Sequence, residues 1–297
     1  MQAFLRTHQL PASYVSLAKR WFESLAEDIA RYRAMAGRPL IVGINGSQGS
    51  GKSTLAALLR LLLGEGHGLK VIDLSIDDFY LTRCQREELA RRVHPLLVTR
   101  GVPGTHDTRL MARTLKCLSG SRVRVPIPRF DKAQDDRVPA EEWAQVQAPM
   151  DVVILEGWCL GTPPEAPERL ETPINELERI EDLDGVWRRY VNDRIERDYR
   201  PVYDRIDIWI MLQAPSFQRV YRWRLEQEEK LARRQAGRSG SGDRIMSAPE
   251  LARFIQHYQR LTEQALRTLP ERVHYLYRLD AERQIIEARC PRPVELA

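Results

Sequence analysis

The segment from Gly46 to Thr54 combines glycines, serines and one lysine in a spacing that suits a polyphosphate. It fits the pattern G-x-x-x-x-G-K-[S/T] without a mismatch. Glycines let backbone N–H groups converge on phosphate oxygens, and a following helix directs its positive end at the same point. We call residues 46–54 the phosphate loop. The residues expected to bind a nucleotide are Gly46, Ser47, Gln48, Gly49, Ser50, Gly51, Lys52, Ser53 and Thr54.

Acidic side chains follow two apolar segments of the chain. Asp77 and Asp78 end the segment VIDLSIDD, and Glu156 ends VVILE. The carboxyl ends of parallel strands form the edge at which open α/β sheets bind ligands. Asp77 or Asp78 can accept the proton of an acceptor hydroxyl or support a metal, and Glu156 stands where an acidic residue holds Mg²⁺ through water. Helix-capping carboxylates and an ordinary turn residue remain the alternative interpretations.

The lysine and the hydroxyl that end the phosphate-loop pattern have separate expected roles. Lys52 supplies a positive charge for the β- and γ-phosphates of a nucleotide, and Ser53 offers an oxygen to Mg²⁺. The predicted metal ligands are therefore Ser53, Glu156 and Asp77. The predicted cofactors are ATP and Mg²⁺.

Arginines recur in residues 216–234, SFQRVYRWRLEQEEKLARR. Arg219 and Arg222 are three residues apart and share a helix face, whereas Arg224 points roughly the other way. We expect Arg219 and Arg222 to close over the transferring phosphate and neutralise its charge, as lids do in kinases. The alternative is a solvated helix, which Glu226 and Lys230 favour for the outer face.

Five short apolar segments predict the strands that position these residues, at residues 39–44, 70–77, 151–157, 206–213 and 273–279. Helical stretches separate them, which indicates βαβ units and a mostly parallel sheet with helices on both faces. The predicted fold is therefore an α/β three-layer sandwich with a helical lid. Residues 13–34 predict one amphipathic helix packed on the main domain.

The chain is predicted to have one main domain with irregular additions. We expect an N-terminal helical extension at 1–37 and a main domain at 38–297. Within the main domain we expect an acidic, proline-rich surface insertion starting at residue 162 and extending to 205, and a lid region at 216–250. Glycines at 236–243 predict a flexible loop.

The composition restricts the class of protein. Hydrophobic residues make up 43% of the chain and charged residues 29%, which is ordinary for a globular domain. With neither a membrane-length apolar run nor an N-terminal signal core, the sequence predicts a cytoplasmic protein. The net charge of +5 comes from scattered basic residues, which suit small anionic substrates better than nucleic acid. The four separated cysteines are expected to be reduced thiols.

Small size, paired carboxylates and an arginine-bearing helix favour phosphoryl transfer to a small molecule. A guanine-binding NKxD motif is absent from the sequence, which argues against a GTPase. Two alternatives remain open: a kinase for uridine, pantothenate or a sugar phosphate, and a nucleotide-binding protein that regulates a partner. We expect a monomer or a homodimer.

Six segments, in chain order, resemble the D-glycerate 3-kinase family: GINGSQGSGKSTL, LSIDDFYL, HPLLVTRGVPGTHD, VPIPRFDKAQDDR, ILEGWCLG and RVYRWRLEQE. That family is similar to uridine kinase, pantothenate kinase and phosphoribulokinase, and all are P-loop kinases. The resemblance covers roughly residues 38–280. It implies that Asp77 is the general base, that Lys52 and Ser53 keep their phosphate and Mg²⁺ roles, and that Glu156 is the family's acidic residue.

The resemblance also implies a small carboxylate acceptor, for which a bidentate arginine clamp is physically expected. The candidate acceptor-binding residues are Asp78, Tyr80, Arg100, His106, Asp107, Arg129 and Asp131. Each can instead be structural, since a His-Asp pair in a loop is often a cap. The stretch at 172–195 is longer than expected for eukaryotic members, which leaves the identity of the acceptor open.

Overall fold

The computed structural model describes residues 1–120, 122–235, 246–290 and 292–295, with the side chains of 230–235 excepted. Its strands are β1 (Leu40–Gly46), β2 (Val71–Ser75), β3 (Arg124–Ile127), β4 (Phe130–Asp131), β5 (Asp136–Arg137), β6 (Ala144–Gln147), β7 (Val152–Gly157), β8 (Ile208–Gln213), β9 (Tyr275–Leu279) and β10 (Ile285–Arg289). Its α-helices are α1 (Gln2–His8), α2 (Tyr14–Trp21), α3 (Glu23–Ala36), α4 (Lys52–His67), α5 (Arg83–Arg92), α6 (Thr108–Leu118), α7 (Glu176–Glu181), α8 (Val186–Arg194), α9 (Arg200–Tyr203), α10 (Phe217–Gln235) and α11 (Ala248–Thr268).

The central sheet has the strand order β10-β9-β8-β1-β7-β2 within the described residues. The first five strands to enter it run parallel, and β10 pairs antiparallel with β9. Strand β1 lies in the middle and is buried along its whole length, as expected for a strand covered on both faces. The predicted α/β fold with a mostly parallel sheet is confirmed.

Side-chain alternation along β1 explains the three layers. Leu40, Val42 and Ile44 pack into a core formed with α4 and the N-terminal helices, whereas Ile41 packs into the core on the opposite face. All five predicted strands are present with slightly different bounds. The edge strand β10 was missed, because its exposed residues carry little of the apolar signal that marks a buried strand.

The prediction of one helix over residues 13–34 is wrong. The helical conformation is interrupted between α2 and α3 at Phe22, whose φ of −123° and ψ of −13° are not helical. Phe22 is buried and its ring lies edge-on to that of Tyr277 on β9, with centroids 5.2 Å apart. The interruption therefore lets the Phe22 ring pack against the sheet.

The acidic segment after residue 162 is not merely a surface insertion, since it buries some of its charged side chains. Glu178 is fully buried and accepts hydrogen bonds from the guanidinium of Arg260 on α11, one of them 2.6 Å long. Arg260 also lies 3.1 Å from Glu165. Buried charges persist when they are paired and hydrogen-bonded, so this network attaches the segment to α11.

The glycine-rich loop predicted at 236–243 lies outside the described residues. Of the helices that are described, none is long and apolar enough to cross a lipid bilayer.

Candidate active site

The phosphate loop connects the end of β1 to the start of α4, as its motif predicts. Gly49 and Gly51 have φ angles of +77° and +91°, a left-handed conformation that L side chains rarely adopt. A Cβ at Gly49 would also lie 2.9 Å from the Cβ of Trp223 on α10. The hydroxyls of Ser47 and Ser50 are buried without a hydrogen-bond partner. A bound polyphosphate would satisfy such donors, so the loop fits a nucleotide.

A hydroxyl and a carboxylate meet beside the phosphate loop. Ser53 Oγ donates to Glu156 Oε1 at 2.6 Å, and Glu156 Oε2 lies 3.8 Å from Lys52 Nζ. Glu156 is only 5% exposed, and its Oε2 atom accepts no hydrogen bond. Mg²⁺ takes oxygen ligands and is usually held by one or two carboxylates together with substrate phosphates. Ser53 and Glu156 therefore fit such an ion.

One cavity of about 530 Å³ joins the phosphate loop to the carboxyl ends of β2 and β7. We call it the site cavity. Among the residues predicted from the sequence, those that line it are Gln48, Gly49, Lys52, Ser53, Asp77, Asp78, Tyr80, Arg100 and Glu156. The lining residues outside the predicted set are Ser75, Phe130, Lys132, Arg224, Gln227, Phe254 and Tyr258.

Asp77 lies in a short 3-10 turn after β2, since the strand ends at Ser75 and not at residue 77. Lys132 Nζ donates to its Oδ2 atom at 2.6 Å, and Tyr80 Oη donates to its Oδ1 atom at 2.7 Å. Burial alone would raise the pKa of Asp77. The positive charges of Lys132 and Lys52, with the two hydrogen bonds, nevertheless bring that pKa well below its usual value.

Asp78 has a different environment from its neighbour. Arg129 Nη1 donates to Asp78 Oδ2 at 3.0 Å. Burial raises the pKa of Asp78, and the charge of Arg129 only partly opposes this. The two adjacent carboxylates therefore differ in how firmly their negative charge is held.

Helix α10 turns Arg224 and Gln227 into the site cavity. Arg222 is instead exposed and lines a separate groove with Asn175 and Gln256, and Arg219 is not among the residues lining the site cavity. Residues two apart on a helix differ by about 200° in direction, so Arg222 and Arg224 cannot both face the phosphates. The sequence predicts that the face with Arg219 and Arg222 reaches the site, but in the structure the face with Arg224 does so. Arg224 pairs with the buried Glu228 on the same helix.

Comparison with known proteins agrees with this geometry. Residues 41–161 match the phosphoribulokinase / uridine kinase family. An uncharacterized kinase of Schizosaccharomyces pombe is 36% identical over 249 residues, which cover 80% of this chain and 85% of that protein. A chloroplastic D-glycerate 3-kinase of Arabidopsis thaliana is 34% identical over 232 residues, which cover 74% of this chain and 46% of the plant protein.

This chain belongs to the D-glycerate 3-kinase-like family of P-loop kinases. A solved D-glycerate 3-kinase from Cryptococcus neoformans var. grubii has a TM-score of 0.73 and 27% identity, and the match covers 90% of this chain and 98% of that one. The protein is therefore a kinase that transfers phosphate to an alcohol group. The resemblance seen in the sequence is confirmed at the level of the family.

The residues expected to bind the acceptor of this kinase are only partly in the site cavity. Tyr80, Asp78 and Arg100 line it. Arg100 pairs with Asp135, and its guanidinium lies 5.5 Å from the centroid of the Phe130 ring. Arg129 is not among the residues that line the cavity, but it donates a hydrogen bond to Asp78, which is.

Three further predicted residues have structural partners. Asp107 caps α6 by accepting a hydrogen bond from the Leu110 amide at 2.9 Å, and Asp131 accepts hydrogen bonds from two backbone amides of its own loop. His106 is buried behind Tyr80, with ring centroids 4.6 Å apart, and its Nδ1 atom contacts the hydroxyl of Tyr199. Burial lowers the pKa of His106 to about 4, so the ring is neutral at physiological pH.

Two of the unpredicted lining residues are charged, Lys132 and Arg224. Lys132 follows the segment PRFD and is 55 residues from its partner Asp77, so no local spacing relates them. The helical spacing predicts Arg224 on the face opposite the one expected to reach the site. The position of Lys132 within one of the family segments was the only signal in the sequence that could have indicated it.

Proposed function

We propose that the protein is an ATP- and Mg²⁺-dependent kinase that phosphorylates a hydroxyl of D-glycerate to give 3-phosphoglycerate. The observation that carries the proposal is the site cavity, in which Asp77 contacts Lys132 and feels the charge of Lys52 in the phosphate loop, while Arg100 also lines the cavity. Sequence and structural similarity to proteins named D-glycerate 3-kinase supports the acceptor.

The proposed chemistry assigns separate roles to the two ends of the cavity. Lys52, with Arg224, neutralises charge on the transferring phosphoryl group, and Asp77 orients the acceptor hydroxyl and takes its proton. Ser53 and Glu156 would hold Mg²⁺, which neutralises charge on the β- and γ-phosphates when bound. A carboxylate with a lowered pKa is a weak base, so we assign Asp77 first to orienting the hydroxyl and only then to receiving the proton.

The carboxylate of glycerate needs positively charged partners near Asp77. Arg100 and Lys132 line the cavity, and Arg129 is held next to it by Asp78. Arginine suits a carboxylate because its planar fork binds both oxygens. We therefore propose that Arg100 and Lys132 contact the carboxylate and that Asp77 contacts the hydroxyl.

Several properties of the protein remain predictions. These are the cytoplasmic location, the lack of a nucleic-acid partner, the monomeric or homodimeric state, and the boundaries of the domains, the insertion and the lid.

The acceptor is tested by measuring ATP consumption with Mg²⁺ in the presence and absence of D-glycerate, with the product identified by phosphorus NMR. We expect glycerate-dependent turnover that yields 3-phosphoglycerate.

In Asp77→Asn, kcat should fall by roughly 10²-fold or more, because a neutral amide cannot accept the proton, while the affinity for ATP is retained.

Lys70→Ala serves as the control variant, since Lys70 is exposed and outside the cavity. ATP binding without glycerate-dependent turnover would refute glycerate as the acceptor. Normal turnover by Asp77→Asn would refute the role of Asp77 as a base.

A further inference from the structure

The hairpin turn between β9 and β10 places an arginine in an unfavourable backbone conformation. Arg283 has a φ of +65°, a region that glycine and asparagine occupy more readily than arginine. The turn is held by Asp280, whose Oδ1 atom accepts hydrogen bonds from the amides of Glu282 at 2.9 Å and Gln284 at 2.8 Å. Strained residues that persist often serve function, so the contacts of this side chain are informative.

The Arg283 side chain contacts both the phosphate loop and helix α10. Its Nε atom donates to the backbone carbonyl of Gly49 in the phosphate loop at 3.0 Å. Its Nη2 atom donates to Glu226 Oε2 on α10 at 2.6 Å. The guanidinium also lies 5.1 Å from the centroid of the Trp223 ring, within the range of a cation–π interaction.

The turn, the phosphate loop and α10 meet at one point. Trp223 Nε1 donates to the carbonyl of Ala281 at 2.8 Å, and the Trp223 Cβ lies where a Cβ at Gly49 would collide with it. Arg224 and Gln227, which line the site cavity, each follow directly after one of these contact residues, Trp223 and Glu226. Because Trp223 packs against Gly49 and Glu226 is linked to Gly49 through Arg283, these contacts also fix the direction of Arg224 and Gln227.

We propose that Arg283 is a positioning residue that ties α10 to the phosphate loop and so directs Arg224 and Gln227 at the nucleotide. It acts on ATP only through Gly49 and α10. The proposal concerns nucleotide binding and does not depend on which acceptor the kinase uses.

The test uses Arg283→Gly, because glycine accepts the φ of +65° and removes the side chain without straining the turn. We measure the affinity of the full-length protein for a hydrolysis-resistant ATP analogue with Mg²⁺ by calorimetry, together with the thermal midpoint. Loss of charge-assisted hydrogen bonds should weaken binding about tenfold while the midpoint stays close to that of the parent protein. In turnover assays, the KM for ATP should rise and the KM for the acceptor should not.

A double-mutant cycle with Glu226→Ala tests the route of the effect. Because both substitutions break the same contact, the double variant should bind the analogue no more weakly than Arg283→Gly alone. Glu226 is about half exposed and tests the contact independently should Arg283→Gly not fold. Arg289→Ala is the matched control, since this arginine of the same hairpin pairs with Glu271 and Glu287 and should keep the parental affinity.

Two results would overturn the proposal. Unchanged ATP affinity in Arg283→Gly, or in Glu226→Ala if that is the variant that folds, would make Arg283 a residue of the fold alone. Fully additive losses in the double variant would mean that Arg283 and Glu226 act separately.

Discussion

At the scale of single residues, the charge of Asp77 depends on opposing influences, of which those that lower its pKa prevail. Burial favours its neutral form, while Lys132, Lys52 and the hydroxyl of Tyr80 favour its carboxylate form. Lys132 contributes both a charge and a hydrogen bond, and its side chain is 60% exposed. A single exposed cation therefore has a large share in keeping the proposed base ionised.

Replacing Lys132 should change the pH dependence of the kinase. In Lys132→Ala the pKa of Asp77 should rise, because burial is then opposed only by Lys52 and Tyr80. Since the proposed base must be ionised, an acid limb of the kcat/KM profile should appear at higher pH in the variant than in the parent protein. Activity is to be measured from pH 4 to 9, with Lys70→Ala as the control, and the parent protein should show no acid limb from Asp77 in this range. A Lys132→Ala profile that matches the parental one would contradict the assignment of this ion pair.

Sequence predicts the position of a residue best when its partners are close to it along the chain. The phosphate loop could be placed between a strand and a helix because its spacing alone specifies that arrangement. Lys132 could not, because its partner Asp77 is 55 residues away and only the fold brings the two together. The segments that contain Asp107 and Asp131 predict acceptor binding, and the structure adds that each carboxylate accepts hydrogen bonds from the nearby backbone.

At the scale of elements, helix α10 shows what periodicity can and cannot predict. The spacing correctly separated Arg222 from Arg224, because residues two apart lie on opposite sides of a helix. Which side faces the site depends on Trp223 packing against Gly49, a contact between distant parts of the chain. Periodicity defines the faces of a helix, whereas tertiary packing decides their direction.

The two faces of α10 should differ in their effect on phosphoryl transfer. Arg224→Ala should lower kcat by roughly 10²-fold, since it removes a cation that faces the proposed position of the transferring phosphate. Arg222→Ala should leave kcat nearly unchanged, because Arg222 lines a different groove. Both variants are compared at saturating ATP and acceptor. Equal losses would contradict the assignment of separate roles to the two faces, and a larger loss in Arg222→Ala would reverse it.

At the scale of the whole molecule, the apolar segments predicted the sheet but not the buried charges that surround it. Arg260 joins Glu165 and Glu178 across more than 80 residues of sequence. In the sequence, Glu165 and Glu178 belong to an acidic, proline-rich stretch that is typical of a surface. Burial of a charge depends on a partner elsewhere in the chain, so composition cannot predict it.

Two buried histidines should make the fold sensitive to mild acid. Burial lowers the pKa of both His106 and His257 from 6.5 to about 4. Between these values the unfolded chain binds protons that the folded chain does not, so the free energy of unfolding falls as the pH is lowered. The loss is about 1.4 kcal/mol per pH unit for each histidine at most.

Urea unfolding at pH 7, 6 and 5 measures this dependence. The variant His257→Gln should lose less of its stability than the parent protein over this range, because glutamine does not titrate there. The exposed His67 provides the control substitution, His67→Gln. A parental slope in His257→Gln would show that His257 is already protonated in the folded protein.

The position of β1 in the sheet affects how the protein is made on the ribosome. Both strands that flank it, β7 and β8, are translated long after it, the second of them ending at Gln213. Until then the growing chain carries an apolar segment and the phosphate loop without their lateral hydrogen-bond partners. Folding that depends on contacts so distant in sequence is slow, and nascent chains with unpaired strands are prone to aggregate. Protection by chaperones during synthesis should therefore matter more for this kinase than for a protein with mostly local contacts.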